Sequence, residues 1–288
     1  MQVLRATTVP DSPARVDAPD RAPFRVAAVQ QRWNADPQEH RDALAEGVAL
    51  AAAEGARLVC LQELTLSPYF AITETAPPGV EPEPLPGGPT HAFAAALAAE
   101  HDLPVHASLY EAAPDGGLGF NTAIVVAPDG SLLARTRKLH IPVTAGYYED
   151  KYFRPGPAEN GFPVVELGEA RFGFPTCWDQ WFPELARAYS LEGAEVLIYP
   201  TAIGSEPDHP EFDTQPLWQQ VIVANGVANG TFMIAINRFG VEPPITFLVA
   251  MPNLACSQRV SRSDARSWRA SPSTCASLIP TCSIPIAV

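Results

Sequence analysis

Apolar positions in this chain follow two rhythms. Short apolar runs bounded by polar or turn-forming residues predict buried strands over 24–30, 57–62, 105–110, 121–127, 132–137, 195–199 and 232–236. Helical spacing in Ala-rich or mixed segments predicts helices over 37–54, 90–100, 183–192 and near 215–227. Asp36 stands where a side chain can cap the first helix, and Pro128-Asp129-Gly130 supplies the turn between two strands. The Pro-rich stretch 77–89 reads as a loop bordering whatever lies after the 57–62 strand. Strands alternating with helices over this length predict an α/β layered architecture.

Composition narrows the picture. With 288 residues and 47% hydrophobic content, one large domain over 24–247 is the economical reading. No apolar stretch reaches the roughly 20 residues needed to span a bilayer. Residues 1–23 lack an apolar signal core and read as a disordered extension, so a cytoplasmic protein with reduced thiols is expected. A net charge of −13 disfavours nucleic acid and anionic membrane as partners, leaving a small molecule as the expected ligand.

The candidate chemistry starts at Cys177. The apolar run 171–175 delivers this thiol to a bend, and a helix-like segment follows from Pro183. That is the layout of a nucleophile elbow, where backbone N–H groups and the next helix's positive end would favour a thiolate. A buried cysteine packing as a small hydrophobe fits the same residues. Glu63 ends the 57–62 strand, at the edge where open α/β sheets place ligands, with Leu64, Leu66, Pro68, Tyr69 and Phe70 around it. It suits a general base, or else a surface charge. Lys138 ends another strand in a basic cluster and would stabilise a thiolate and an oxyanion, or else remain a solvated charge. His140, two residues on, is an alternative base for a Cys–His pair, though no third member of such a triad is evident.

Four segments together carry a resemblance. Leu61-Gln62-Glu63-Leu64, Arg137-Lys138-Leu139-His140-Ile141-Pro142, Gly146-Tyr147-Tyr148-Glu149 and Cys177-Trp178-Asp179-Gln180-Trp181-Phe182-Pro183-Glu184 resemble the Glu, Lys, second-Glu and Cys motifs of the nitrilase superfamily, in the family's order. Phe120-Asn121-Thr122-Ala123 is similar to a recurring family strand, and the likeness runs from about Phe24 to Phe247. The resemblance implies a four-layer α-β-β-α sandwich that assembles into a homo-oligomer through its helical layer. It implies catalytic Cys177, Glu63 and Lys138, with Glu149 as auxiliary carboxylate, and no metal or organic cofactor. The Cys-Trp-Asp-Gln-Trp-Phe-Pro-Glu run with Tyr199-Pro200-Thr201-Ala202-Ile203-Gly204-Ser205-Glu206-Pro207 looks like the N-carbamoylputrescine amidase branch, the β-ureidopropionase branch being the runner-up. Expected substrate contacts are Trp178, through its backbone N–H, Tyr69, and the acids Glu206 and Asp208 for a distal ammonium. An inactive, truncated scaffold is the reading from another class, and the presence of all four catalytic side chains argues against it.

The tail 248–288 departs from this pattern. It holds no glycine, three of the five cysteines (Cys256, Cys275, Cys282), and Arg259, Arg262, Arg266 and Arg269 against the single acid Asp264. Its cysteine spacing matches no zinc pattern. The expectation is a reading frame lost near Phe247, leaving an atypical tail.

Overall fold

The computed structural model describes residues 1, 3–6, 21–144, 146–159, 161–206, 209, 211–242, 245–247, 254–255 and 281–284. The strands are β1 (Arg5–Ala6), β2 (Phe24–Ala28), β3 (Leu58–Cys60), β4 (Val105–Glu111), β5 (Phe120–Val126), β6 (Leu132–Arg137), β7 (Val143–Thr144) and β8 (Tyr147–Tyr148). They continue with β9 (Val164–Leu167), β10 (Ala170–Gly173), β11 (Val196–Pro200), β12 (Phe232–Ile236), β13 (Gly240–Glu242), β14 (Ile245–Phe247), β15 (Leu254–Ala255) and β16 (Thr281–Ile284). Among the described residues four α-helices accompany them: α1 (Pro37–Ala53), α2 (Pro89–His101), α3 (Pro183–Leu191) and α4 (Gln215–Asn229). The expectations for 1–23 and 248–288 fall largely outside the described residues; inside them, β1 pairs with β16, and β15 with β12.

Among the described residues two large sheets form, ordered β1-β16-β2-β3-β4-β5-β6 and β15-β12-β11-β10-β9, beside the two-stranded pairs β7-β8 and β13-β14. Period-2 alternation decides what each strand face meets. Phe24 and Val26, Leu58 and Cys60, and Ala123 and Val125 point from the first sheet into a shared core. Phe172, Val196, Ile198, Ile234 and Ile236 meet them from the second. The alternate residues Ala27, Val59, Ile124 and Val126 pack outward with Leu44 and Val48 of α1 and Leu97 of α2. On the other side Leu197, Tyr199, Met233 and Ala235 pack with Leu185 and Tyr189 of α3 and Trp218 and Ile222 of α4. Three apolar interfaces between helix, sheet, sheet and helix make the α-β-β-α sandwich. Strands buried on both faces need unbroken apolar runs, which is why those runs were legible.

Local signals behave as their chemistry requires. Asp36 Oδ1 accepts the N–H groups of Gln38 at 2.8 Å and Glu39 at 3.0 Å, capping α1 just before Pro37. Gly130 takes φ 83° in the β5–β6 turn. The antiparallel β9 was not anticipated; it lies at the sheet edge with only Leu167 buried, so its pattern lacks an apolar run.

Strand direction gathers the functional ends. β2, β3 and β4 run parallel, and β6 shares that direction because two antiparallel steps separate it from β4. β10, β11 and β12 are likewise parallel. Glu63, Lys138, Cys177, Ala202 and Arg238 therefore all follow the C-terminal ends of strands, the edge that hosts ligands in α/β folds.

Candidate active site

Three ionisable side chains meet after β3, β6 and β8. The Lys138 ammonium lies 2.8 Å from each oxygen of Glu149 and 3.2 Å from Glu63 Oε1. All three residues are buried. Asn121 of β5 donates to Glu63 Oε1 at 2.7 Å, and the Tyr69 hydroxyl donates to Glu149 Oε1 at 2.8 Å. Glu63 Oε2 is buried with no hydrogen-bond partner. One carboxylate oxygen is thus anchored twice, and the other is left to act on something that arrives.

Cys177 belongs to the same buried cluster. It opens the 3-10 turn Cys177–Trp181 with φ 38°, a left-handed conformation that a non-glycine residue adopts only where its surroundings impose it. Asp179 fixes the turn: its Oδ2 accepts the Thr176 N–H at 3.1 Å, and its Oδ1 accepts the N–H groups of Leu139 and His140 beside Lys138. The thiol feels the charges of Glu63, Lys138 and Glu149, so the four groups form one electrostatic cluster.

The protonation pattern corrects one expectation. Burial pushes the Cys177 thiol well above its ordinary value, the two carboxylates add to this, and Lys138 with the Ala202 N–H only partly opposes it. The resting group is a thiol rather than a thiolate. The positive end of α3 does not serve it, because the 3-10 turn intervenes before Pro183. Lys138 is held above its ordinary value: burial disfavours the charge, but Glu149 and Glu63 outweigh it. Glu149 also rises, because burial and the repulsion of Glu63 exceed the pull of Lys138 and the Tyr69 hydrogen bond. Buried charges in such a cluster are tolerated only because each has a partner.

A cavity of about 170 Å³ opens onto this cluster. Glu149 and Cys177 line it together with Tyr69, Tyr147, Trp178, Trp181, Ile203 and a second acid, Glu206. Burial raises the Glu206 carboxyl above its ordinary value. Trp178 and Tyr69, expected as substrate contacts, both line the cavity; Asp208 lies outside the described residues. His140 is not among the lining residues. Its Nδ1 lies 2.8 Å from Asp179 Oδ1 and its ring stacks on Phe182 at 3.6 Å, so it serves the turn rather than the thiol.

Sequence reasoning missed Ala202, whose N–H reaches the sulfur, the wall residue Tyr147, and the role of Asn121. It also passed over Arg238, although a charged residue just after the apolar run 232–236 is the same signal that singled out Glu63. Among the described residues no group of three or more His, Cys, Asp or Glu is arranged to hold a metal ion, and no helix is long and apolar enough to cross a membrane.

Comparison with known proteins gives consistent results. The family profile described as carbon-nitrogen hydrolase matches residues 25–259. A citrullinase of Francisella tularensis subsp. tularensis is 37% identical over 221 residues, covering 77% of this chain and 76% of its own. An N-carbamoylputrescine amidase of Solanum lycopersicum is 38% identical over 217 residues, covering 75% and 71% respectively. The crystal structure of a carbon-nitrogen hydrolase from Helicobacter pylori G27 superimposes with a TM-score of 0.67 at 34% identity, over 78% of this chain and 79% of that one.

Proposed function

The chain belongs to the carbon-nitrogen hydrolase family of amidohydrolases, within the nitrilase superfamily, and we propose that it hydrolyses the carbamoyl amide of N-carbamoylputrescine to putrescine, ammonia and carbon dioxide. The observation that carries the substrate choice is the charge layout of the cavity. Besides Glu149 of the buried cluster its lining holds one further acid, Glu206, and its described lining contains no Lys or Arg. A distal ammonium would be attracted there, whereas a distal carboxylate would find no cation. At about 170 Å³ the space is below the ~300–1,000 Å³ of drug-sized pockets, which suits a short linear substrate.

In this reading Glu63 Oε2 takes the Cys177 proton as the sulfur attacks the ureido carbon. The raised thiol makes that base necessary. Lys138 and the Trp178 N–H stabilise the tetrahedral oxyanion; one such donor is worth about 10²–10³ in rate. Glu63 passes its proton to the departing amine nitrogen as the C–N bond breaks, leaving an S-carbamoyl thioester. Glu63 then takes a proton from a water that attacks the thioester carbon; as the C–S bond breaks it returns that proton to the sulfur, and the carbamic acid released falls to ammonia and carbon dioxide. Glu149 orients the ammonium and the water. The chemistry needs Cys177 as a free thiol, which fits a reducing, cytoplasmic setting. Exposed Leu191 on α3 and Leu217 and Val227 on α4 suit assembly of like subunits through the helical layer.

A second reading, hydrolysis of citrulline, has support from the citrullinase relative and uses the same ureido chemistry. Its extra carboxylate disfavours it here, as does that of N-carbamoyl-β-alanine, the β-ureidopropionase substrate. Ammonia release should give a kcat/KM for N-carbamoylputrescine at least ~10-fold above N-carbamoyl-β-alanine, which has no ammonium for Glu206, since a hydrogen bond to a charged group contributes about 1.5–3 kcal/mol, and above citrulline by the cost of its uncompensated carboxylate. Glu206→Gln should erase most of that margin through KM. Preference for a carboxylate-bearing substrate by the wild type would overturn the assignment.

A further inference from the structure

Arg238 is the largest fully buried side chain among the described residues, and it follows β12 at the strand edge that carries the site. Its Nη1 donates to Glu242 Oε1 at 2.7 Å. Its Nη2 donates to the Glu63 carbonyl at 2.7 Å and lies 3.3 Å from the carbonyls of Leu64 and Ser67. Glu242 Oε2 in turn accepts the Tyr69 N–H at 2.7 Å. The arginine and its counter-ion thus grip both ends of the 63–69 segment, which carries Glu63 and Tyr69.

The segment needs such a grip. Leu64 sits at φ 48°, and the carbonyls around it turn inward, where each requires a donor. A planar guanidinium reaches several carbonyls and a carboxylate at once, which a lysine ammonium cannot reproduce. Glu63 is held through its backbone by Arg238, and its Oε1 by Asn121 and Lys138, leaving Oε2 unpartnered. We infer that Arg238 and Glu242 are positioning residues that set the Glu63 carboxylate against the Cys177 sulfur by fixing the 63–69 segment. The inference rests on Glu63 being the base for Cys177.

The test reads thiol activation without turnover: alkylation of Cys177 by iodoacetamide, followed by peptide mass spectrometry so that buried Cys60 does not contribute, from about pH 4 to pH 9, a range that spans the ordinary glutamate and thiol values. Wild type should react well below the pH at which its own raised thiol would ionise, and Glu63→Gln should lose this. Arg238→Lys should lose most of it and drop kcat by ~10², the scale of a 1 Å misplacement, with KM nearly unchanged. Glu242→Gln keeps one acceptor oxygen, should give a smaller loss of the same kind, and carries the test if Arg238→Lys does not fold. Lowered melting temperatures with wild-type alkylation in both variants would make the pair merely structural and overturn the inference, while a slowed Glu63→Gln preserves the base assignment. Wild-type alkylation in Glu63→Gln would overturn that assignment and the inference with it.

Discussion

Lys138→Met removes the ammonium and keeps the apolar stem, stranding the buried carboxylates of Glu149 and Glu63 that lie 2.8 and 3.2 Å from it. Removing one partner of a buried ion pair costs about 3–5 kcal/mol. At about 2–4 °C per kcal/mol for a domain of this size, the melting temperature should fall by roughly 6–20 °C at pH 8. The deficit should depend on pH with a definite sign. Burial already raises Glu149 above its ordinary value, and losing the opposing pull of Lys138 raises it further. A group whose folded pKa is raised contributes stability that is fully present below its unfolded value, about 4.3 for Glu, and lost as pH rises through the folded value. The variant should therefore recover much of its deficit between pH 8 and about pH 5, while hydrolysis stays abolished. Thermal melts of wild type and variant at both pH values, with ammonia release alongside, decide it. An equal deficit at both pH values would mean that Lys138 contributes packing rather than charge compensation, and the electrostatic account of the cluster would fail.

Other substitutions probe the remaining members. Cys177→Ala and Cys177→Ser should both abolish ammonia release while far-UV circular dichroism and melting stay close to wild type; turnover in either variant contradicts a sulfur nucleophile. Tyr69→Phe removes a hydrogen bond that holds the Glu149 carboxyl down, so Glu149 should rise. The acid limb of the kcat/KM profile should then move to higher pH by up to about one unit, the equivalent of roughly 1 kcal/mol; an unmoved limb would detach Glu149 from the rate.

Much of the fold could be read from local pattern because the pattern is what the layers require. The run 232–236 became β12 with the expected bounds, and 132–137 became β6. Where bounds shifted, as in 57–62 contracting to Leu58–Cys60, ladder pairing stopped before the apolar run did. The half-exposed β9 escaped because an edge strand needs no continuous apolar run. Of the site, Glu63, Lys138, Glu149 and Cys177 were legible as a set of motifs, and Tyr69 and Trp178 as their neighbours. Asn121 and Ala202 were not, since one acts through a carboxamide reaching across strands and the other through a backbone N–H that every residue possesses.

The sequence by itself determined which segments become strands and helices and which side chains stand at strand ends, because periodicity and turn chemistry act within a few residues of their cause. The tertiary structure alone decided the state of those side chains: that burial and two carboxylates favour the thiol form of Cys177, that Lys138 is held charged between those carboxylates, and that Arg238 grips the segment bearing Glu63. Desolvation and Coulomb interactions depend on what distant segments bring within a few ångströms, and no local pattern encodes that distance.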